Sequence, residues 1–318
     1  MGVEKMTEVI KKSARGEYGL TLADLGKTNK NIVVIDCDLS GSTMTKHFKT
    51  AFPERFFNAG IAEQDAVTMA VGLSTTGKVP FVSTFAVFAS GRAWEQIRNG
   101  VCYPKFNVKI VATHCGITVG EDGASHQALE DVAIMRAIPN MTVIAPSDAT
   151  EVREVIKWAA EYKGPVYVRI SRANLPVIFK EGEYKFNPYK AVIMKEGKDL
   201  TVCTNGETTS EVMKASAILE KEGIDIEVIH IPVVKPLDTK TIVESAKKTK
   251  RVFTVENHSV IGGLGGAVCE ALSSEYPVKV TRIGINDEFG QTGTADELMN
   301  YYGLTGDKIA EKIKGLLK

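Results

Sequence analysis

Residues 58–65, with the sequence Asn-Ala-Gly-Ile-Ala-Glu-Gln-Asp, join a short extended segment, 55–59, to a segment with helical periodicity, 66–76. Gly60 favours a turn between the two, and Glu63 lies where the first turn of the helix would form. A carboxylate at this position either caps a helix or lies in a cleft at the carboxyl edge of a sheet. Taken alone, the segment favours an ordinary first-turn acid, because acidic residues are common at helix N-termini.

Short apolar strands followed by helices recur on both sides of this turn. Residues 31–38, Asn-Ile-Val-Val-Ile-Asp-Cys-Asp, form a continuous apolar run that ends in acids, which is typical of a parallel strand buried on both faces. Further strands are predicted at 79–85, 108–113, 141–145, 166–171, 200–204, 226–231, 252–256 and 278–283. This alternation of strands and helices predicts an α/β fold with doubly wound, mostly parallel sheets.

The length of the chain favours two domains, since one hydrophobic core usually stops growing before 318 residues. The alternating pattern lapses between Arg172 and Ala191, where turn-forming residues are frequent. We therefore predict a first domain over residues 1–175, a linker over 176–191, and a smaller second α/β domain over 192–318.

Two predicted helices of the first domain bear on the candidate site. Residues 4–27 have helical periodicity, which Gly16 and Gly19 are expected to interrupt because glycine is a poor helix former. Residues 87–103 are predicted to form one continuous helix.

Composition and charge exclude several classes of protein. The 39 Lys and Arg are balanced by 39 Asp and Glu, so no basic excess predicts binding to nucleic acid. No run approaches the roughly 18 apolar residues needed to span a membrane. Residues 1–12 lack the apolar core of a signal peptide, so we expect a cytoplasmic protein. The five cysteines have no CxxC spacing, which favours reduced thiols over a disulfide or zinc framework.

Polar and aromatic side chains lie where strands of the predicted first domain end. Asp38 and Ser42 follow the strand at the start of the domain, and Glu63 follows the next extended segment. Phe85 ends a later strand and Phe88 comes three residues after it. Because the carboxyl ends of parallel strands share one edge of a sheet, we expect these groups to converge.

The segment 114–127 is the most informative of these strand ends. It contains three glycines, two acids and two of the five histidines of the chain. Functional residues concentrate in such loops, although a solvated loop with incidental histidines remains the alternative. Its histidines, His114 and His126, do not have the i, i+4 spacing of a helical metal site, which disfavours metal binding.

Several segments of the chain resemble the second half of transketolase. The segments similar to its pyrimidine-binding domain are 58–65, 83–88, 113–114, 120–127, 139–141 and 169–176, and those similar to its C-terminal domain are 255–258 and 262–265. The resemblance covers essentially the whole chain in the family's order. It implies thiamine diphosphate as the cofactor and a second domain that mainly supports dimerisation.

One motif of the family is missing from the sequence. Transketolases bind the diphosphate and its Mg²⁺ through Gly-Asp-Gly and a later Asn in a separate N-terminal domain, and Gly-Asp-Gly does not occur here. The resemblance therefore implies one subunit of a split transketolase without metal ligands of its own. It would act with an N-terminal subunit that holds the diphosphate and Mg²⁺, in a dimer of heterodimers. The implied reaction transfers a two-carbon ketol unit from a ketose phosphate to an aldose phosphate, as in the pentose phosphate pathway.

The resemblance also implies which residues bind the cofactor. Glu63 matches the acid that hydrogen-bonds a ring nitrogen of the pyrimidine, so that the cofactor's own amino group can remove a proton from its reactive carbon. Phe85 and Phe88 match the aromatic wall against that ring. Asp38 matches an acid near the cofactor in the same site.

On the substrate side, the resemblance implies three catalytic residues besides Glu63. Asp122 and His126 match groups that hydrogen-bond the hydroxyls of the donor sugar, and His114 matches a pocket residue near the substrate phosphate. A guanidinium can bind an oxyanion with two hydrogen bonds. The phosphate-binding positions of the family are matched by Arg15, Ser42 and Arg172. For Arg172 a solvated charge at a strand end is the alternative.

The sequence departs from many transketolases at Gln64, where they have His, and at Gly91, where they often have an aromatic residue. The first change also occurs in deoxyxylulose-phosphate synthases. The alternatives are therefore half of such a synthase, the beta subunit of a 2-oxo acid dehydrogenase with a lipoyl-bearing partner, or a non-catalytic scaffolding subunit. In the second domain, 262–266 favours a tight turn entering a helix over a phosphate loop, and His258 favours a structural role.

Overall fold

The computed structural model describes residues 10–317, in which short strands alternate with helices. The strands are β1 (Lys11–Ser13), β2 (Ile32–Asp36), β3 (Phe56–Asn58), β4 (Val79–Phe85), β5 (Lys109–Thr113), β6 (Thr142–Ile144), β7 (Val166–Ile170), β8 (Asn174–Pro176), β9 (Val192–Lys195), β10 (Leu200–Thr204), β11 (Ile226–His230), β12 (Val233–Lys235), β13 (Val252–Ser259) and β14 (Val280–Ile285). The helices are α1 (Ala14–Thr28), α2 (Ser40–Thr43), α3 (Lys46–Ala51), α4 (Glu63–Thr75), α5 (Ala86–Gly91), α6 (Asp131–Arg136), α7 (Ala149–Glu161), α8 (Thr208–Lys221), α9 (Thr239–Thr249), α10 (Leu264–Glu275), α11 (Ala295–Tyr301) and α12 (Gly306–Leu317). Short 3₁₀ or π-helical segments lie at Pro53–Arg55, Gln96–Cys102 and Ile117–Asp122.

The first sheet has seven strands in the order β12-β6-β7-β5-β4-β2-β3. Its pairings are parallel except that of β12 with β6. Every residue of β2, β4, β5, β6 and β7 is buried, because one face packs against α4, α5 and α6 and the other against α1, α3 and α7. The predicted doubly wound, mostly parallel sheet is confirmed.

The second sheet has five strands in the order β14-β13-β10-β11-β9, and only β9 is antiparallel to its neighbour. Helices α8, α11 and α12 contribute apolar side chains to one core of this sheet, and α9 and α10 contribute to the other. The α/β class predicted for this part of the chain is therefore confirmed as well.

The two sheets are joined by a strand and by buried polar contacts. Strand β12 comes from the second half of the chain but pairs with β6 of the first sheet. The carboxylate of Glu207 accepts hydrogen bonds from Thr118 at 2.8 Å, from Ser171 at 2.6 Å and from Asn257. These groups are buried, so their hydrogen bonds fix how the two halves pack. The domain boundaries at residues 175 and 191 stay predictions.

The first helix differs from its prediction. It begins at Ala14, with Ser13 as its N-cap, and it runs through Gly16 and Gly19 without a break. A Cβ on Gly19 would collide with the carbonyl oxygen of Met44, so this glycine allows close packing rather than ending the helix. The part of the predicted helix before residue 10 lies outside the described residues.

The predicted continuous helix at 87–103 is wrong. Helix α5 ends at Gly91, and a π-helical turn follows at Gln96–Cys102. Glycine has low helix propensity, which accounts for a break at this point. The break leaves Arg92 at the C-terminal end of α5, with its side chain directed toward the edge of the first sheet.

Candidate functional site

Four adjacent strands of the first sheet, β3, β2, β4 and β5, place their carboxyl ends at one edge. Asp38 follows β2, the turn before Glu63 follows β3, and Phe85 is the last residue of β4. His114 directly follows β5, whose last residue pairs with Phe85. The sheet therefore brings together strand ends that are far apart in the sequence, as predicted.

Glu63 is the first residue of α4, and only 3% of it is exposed. Its carboxylate turns toward β4, where Oε1 accepts a hydrogen bond from the hydroxyl of Thr84 at 3.3 Å. Nη1 of Arg92 lies 3.3 Å from Oε2 and 3.4 Å from Oε1. The interpretation of Glu63 as an ordinary helix-capping acid is thus not supported, since its partners are side chains outside α4. The carboxylate lines an open cleft of about 470 Å³, formed by Ile61, Ala62, Glu63, Gln64 and Arg92.

Four aromatic rings form a cluster next to this carboxylate. The rings of Phe85 and Phe88 are stacked with centroids 5.9 Å apart, and His114 stacks on Phe85 at 3.8 Å. His126 meets both phenylalanines edge-on, at 6.2 Å from Phe85 and 5.4 Å from Phe88. The edge-on pairs of His126 have a geometry that aromatic rings favour, and these ring contacts restrict the orientation of both histidines.

His114 is a neutral imidazole in this setting. Burial, followed by the positive charges of Arg15, Arg172 and His126, lowers its pKa to about 3. Its Nδ1 lies 2.9 Å from the hydroxyl of Thr113, and one ring nitrogen of a neutral imidazole can donate while the other accepts.

We expect the ring of His114 to stay uncharged between about pH 8 and about pH 5. The pKa of His114 is about 6.5 in the unfolded chain and is lower in the folded protein. The neutral ring therefore makes its full contribution to stability above about pH 6.5. The contribution is lost as the pH falls toward about 3. NMR titration of the histidine Cε1 protons, with the His114 signal assigned from a His114→Asn variant, measures this directly. A midpoint near 6.5 for that signal would contradict the argument from burial.

Two arginines, Arg15 and Arg172, lie close enough to His114 for their charges to act on it. Nη1 of Arg15 donates to the carbonyl oxygen of Ser42 at 2.7 Å, and Nη1 of Arg172 donates to the carboxylate of Glu121 at 2.7 Å. Burial, and then the charge of Arg172, lowers the pKa of Arg15. Its Nε is buried without a hydrogen-bond partner among the described residues. Two neighbouring guanidiniums, one with a free donor, are suited to binding an anion.

Asp38 and Asp122 are exposed, unlike Glu63. Asp38 has a positive φ of 63° and exchanges two hydrogen bonds with Asn58, at 2.9 and 3.0 Å. Asp122 ends the 3₁₀ segment before Gly123, whose φ is also positive. Residues 114–120 are all buried, so a solvated loop is contradicted for the first half of the segment 114–127.

Across residues 10–317, no group of three or more His, Cys, Asp or Glu side chains is arranged to hold a metal ion. None of the helices in that range combines the length and the apolar character that crossing a bilayer requires. The cysteines are free thiols, four of them buried, which agrees with the predicted reduced state.

Two family profiles match consecutive parts of the chain. The profile described as transketolase, pyrimidine binding domain, matches residues 11–177, and the profile described as transketolase, C-terminal domain, matches residues 189–309. The chain belongs to the transketolase family. This family uses thiamine diphosphate, as the resemblance of the motifs implied.

Individual transketolase relatives match the chain over nearly its whole length. It is 55% identical to a protein of Methanocaldococcus jannaschii that carries the name "putative transketolase C-terminal section", over 99% of both proteins. It is 38% identical to one subunit of the apulose-4-phosphate transketolase of Phocaeicola vulgatus, over 94% of this chain and 96% of that protein. A solved structure described as a split gene transketolase, inactive beta4 tetramer, is 49% identical and superposes with a TM-score of 0.87, over 96% of this chain and 97% of that one.

Most of the residues matched to transketolase site positions lie in one connected group. They are linked to one another, directly or through Arg92, by ion pairs, ring contacts, hydrogen bonds or electrostatic effects. The group comprises Glu63, Phe85, Phe88, His114, His126, Arg15, Ser42 and Arg172. Asp38 and Asp122 make no hydrogen bond to these residues within the described part of the chain.

Sequence reasoning missed Thr84 and Arg92, both of which contact Glu63. Thr84 lies within a motif similar to transketolase, but nothing in its spacing marks it as a partner of an acid 21 residues away. Arg92 directly follows Gly91, the position at which the expected aromatic residue is missing. The missing aromatic residue at position 91 was therefore the signal in the sequence that pointed to Arg92.

The glycine-rich segment of the second domain is a turn entering a helix, as predicted. The carboxylate of Glu256 accepts hydrogen bonds from the backbone N–H groups of Leu264 and Gly265, at 2.7 and 2.8 Å. The first turn of α10 therefore already holds an anion and is not free for a phosphate. His258 is buried between Glu256 and Asp131, at 3.7 and 3.9 Å, and its structural role stays a prediction.

The residues present fit the pyrimidine ring of thiamine diphosphate. A flat ring with a basic nitrogen requires an aromatic wall and an acid, and Phe85, Phe88 and Glu63 supply them. A Cβ added at Gly91 would meet no atom within 4 Å, so the space beside this wall is open. The fit extends to the ring only, because the described residues include no cluster suited to a metal ion.

Proposed function

We propose that this chain is the C-terminal subunit of a split transketolase that transfers a two-carbon ketol unit from a ketose phosphate to an aldose phosphate. The observation that carries the proposal is the buried carboxylate of Glu63, held at the carboxyl edge of the sheet beside two stacked phenylalanines. A buried carboxylate is costly unless it is paired, and such groups concentrate at functional sites. The match to transketolase over both domains supports the same function.

Thiamine diphosphate, when bound, supplies the nucleophilic carbon that accepts the ketol unit. Glu63 hydrogen-bonds the ring nitrogen of the pyrimidine and holds a proton at that atom. Phe85 and Phe88 bind the face of the ring and exclude water from it. Asp38 lies at the exposed end of β2 and contributes a negative charge on the cofactor side of the site.

The sugar phosphate binds on the other side of the aromatic cluster. His114, uncharged and fixed against Phe85, offers a hydrogen bond without a full charge, and His126 and Asp122 bind hydroxyls of the donor. The phosphate end is bound by the residues with a cationic or hydroxyl group near His114, namely Arg15, Ser42 and Arg172. Phosphate between Arg15 and Arg172 would offset the repulsion that their two charges now produce.

The diphosphate and Mg²⁺ sites belong to an N-terminal partner subunit. This chain lacks Gly-Asp-Gly, and its described residues hold no metal-binding cluster. The similar protein of Phocaeicola vulgatus is named as one subunit of its transketolase, and the similar solved structure is described as an inactive beta4 tetramer. We infer that the active form is a dimer of heterodimers and that this chain alone has no turnover.

The sugar substrates are not determined by the residues named above. One relative is named for apulose 4-phosphate and another for 6-deoxy-6-sulfo-D-fructose, so related subunits are named for different sugars. The proposal therefore covers sugar phosphates as a class.

Replacing Arg172 with leucine is expected to raise the KM for a sugar phosphate about 10- to 100-fold, because a charge-assisted hydrogen bond contributes about 1.5–3 kcal/mol. The kcat should change much less, since the phosphate is bound equally in the ground state and the transition state. Steady-state kinetics of the assembled enzyme measure this. Arg98→Leu, at an exposed arginine of the π-helical turn, is the control and should leave KM unchanged. An equal loss with a non-phosphorylated sugar would contradict the assignment.

A native pull-down of the tagged chain tests the proposed function. We expect a stoichiometric partner that contains Gly-Asp-Gly and a downstream Asn, and ketol transfer between sugar phosphates once the two chains are mixed with thiamine diphosphate and Mg²⁺. A lipoyl-bearing complex would instead indicate 2-oxo acid oxidation, and condensation of pyruvate with a triose phosphate would indicate a deoxyxylulose-phosphate synthase. No partner and no turnover would favour a scaffolding subunit.

A further inference from the structure

Arg92 connects the two features that define the candidate pyrimidine site. It follows the last residue of α5, and 51% of its side chain is exposed. One side of its guanidinium pairs with the carboxylate of Glu63, at 3.3 Å from Oε2. Its Cζ also lies over the ring of Phe88, 4.1 Å from the centroid. One side chain therefore contacts both the acid and the aromatic wall.

The contacts of Arg92 with Glu63 and with Phe88 restrict the carboxylate of Glu63 more than its hydrogen bond with Thr84 does. The hydroxyl of Thr84 is a neutral donor at 3.3 Å from one oxygen only. Nη1 of Arg92 reaches both oxygens, and the guanidinium also lies over the ring of Phe88, so it limits rotation of the carboxylate. Without Arg92, the carboxylate of Glu63 would keep one weak hydrogen bond and would be free to turn.

The position of Arg92 also bears on the missing aromatic residue. Gly91 leaves open space beside the phenylalanine wall, since a Cβ there would meet no atom within 4 Å. The guanidinium of the next residue lies over the ring of Phe88, so Arg92 is the side chain next to Gly91 that contacts this wall.

We propose that Arg92 is the positioning residue of the pyrimidine site: it fixes the carboxylate of Glu63 in place beside the aromatic wall. The inference rests on the proposed function, because it assumes that a pyrimidine ring binds beside Glu63. It assigns a role to a residue that the motifs shared with transketolase do not include.

The test measures binding of thiamine diphosphate by isothermal titration calorimetry, using the complex of this chain with its N-terminal subunit and Mg²⁺. Arg92→Gln should raise the Kd for thiamine diphosphate about tenfold, which corresponds to the loss of one charge-assisted hydrogen bond. Arg92→Lys should recover only part of this loss, because the compact ammonium group cannot contact both Glu63 and the ring of Phe88 as the larger guanidinium does. Arg98→Gln is the matched control and should bind like the wild type.

A double-mutant cycle shows whether Arg92 acts through Glu63. In a Glu63→Gln background, Arg92→Gln should weaken binding less than about twofold further, because its partner is already gone. Wild-type affinity in Arg92→Gln, or losses that add in full, would overturn the inference while leaving the proposed function intact. If the wild-type complex itself bound no thiamine diphosphate, the proposed function would be wrong as well.

Discussion

Replacing Glu63 with alanine is expected to lower the turnover of the assembled enzyme about 10²- to 10⁴-fold, the usual loss when an acid–base group is removed. The physical reason is that this carboxylate is the acid that lines the cleft beside the aromatic wall, and alanine has no group that could hydrogen-bond the pyrimidine nitrogen. Initial rates of ketol transfer between sugar phosphates measure the effect. Size-exclusion chromatography with the N-terminal subunit should show an unchanged complex, because the side chain lies in a cleft of this chain.

The matched control for Glu63→Ala is Asp65→Asn. Asp65 is an acid in the same first turn of α4, but it is exposed. Its replacement removes the same charge from the same helix end, which contributes only about 0.3–1 kcal/mol to stability and nothing to the site. We expect turnover within about twofold of the wild type. Normal turnover in Glu63→Ala would refute the role of this residue and the proposed chemistry with it.

Periodicity predicted the buried strands of the fold well, because a parallel strand covered on both faces must be apolar throughout. Strand β4 runs from Val79 to Phe85 and β10 from Leu200 to Thr204, each with the predicted limits. The antiparallel strands β9 and β12 were missed. Each is three or four residues long, and β12 joins the sheet of the other half of the chain, which no local pattern encodes.

The helices were predicted less accurately where glycine has a packing role. Gly19 lies inside α1 because the helix packs closely against the backbone of Met44, a contact that depends on tertiary structure. At Gly91 the propensity of glycine does end a helix, and the prediction of one continuous helix was wrong. The same residue type therefore has opposite effects, decided by what packs against it.

The sequence predicts which strand ends form the candidate site, but not which of its charged groups interact. The edge that carries Glu63 and Phe85 follows from the order of strands and from the resemblance of the motifs. The pairing of Glu63 with Arg92 depends on where α5 stops, and the lowered pKa of His114 depends on its burial and then on two arginines from distant segments. Such groups meet only in the folded chain.

The second large effect is expected for Arg169, which lies at the junction of the two halves of the chain. Its Nε donates to the carboxylate of Asp131 at 2.9 and 3.0 Å, and its Nη2 donates to the carbonyl oxygen of Asn257 at 2.7 Å. Asp131 also accepts a hydrogen bond from Tyr167 at 2.8 Å. Arg169 and Asp131 are buried, 5% and 0% exposed, and the charge of Asp131 opposes desolvation so that the pKa of Arg169 is raised.

Arg169→Met is expected to lower the free energy of unfolding by about 3–5 kcal/mol, because it leaves a buried carboxylate without its counter-charge. Urea denaturation of the full chain measures this as a lower midpoint. Adding Asp131→Asn should recover part of the loss, since the neutral amide no longer requires a charged partner. Arg153→Met is the control: Arg153 pairs with Glu17 but is 29% exposed, so about 0–1 kcal/mol is expected. Equal losses of unfolding free energy in Arg169→Met and Arg153→Met would show that burial does not determine how much the Arg169–Asp131 pair contributes to stability.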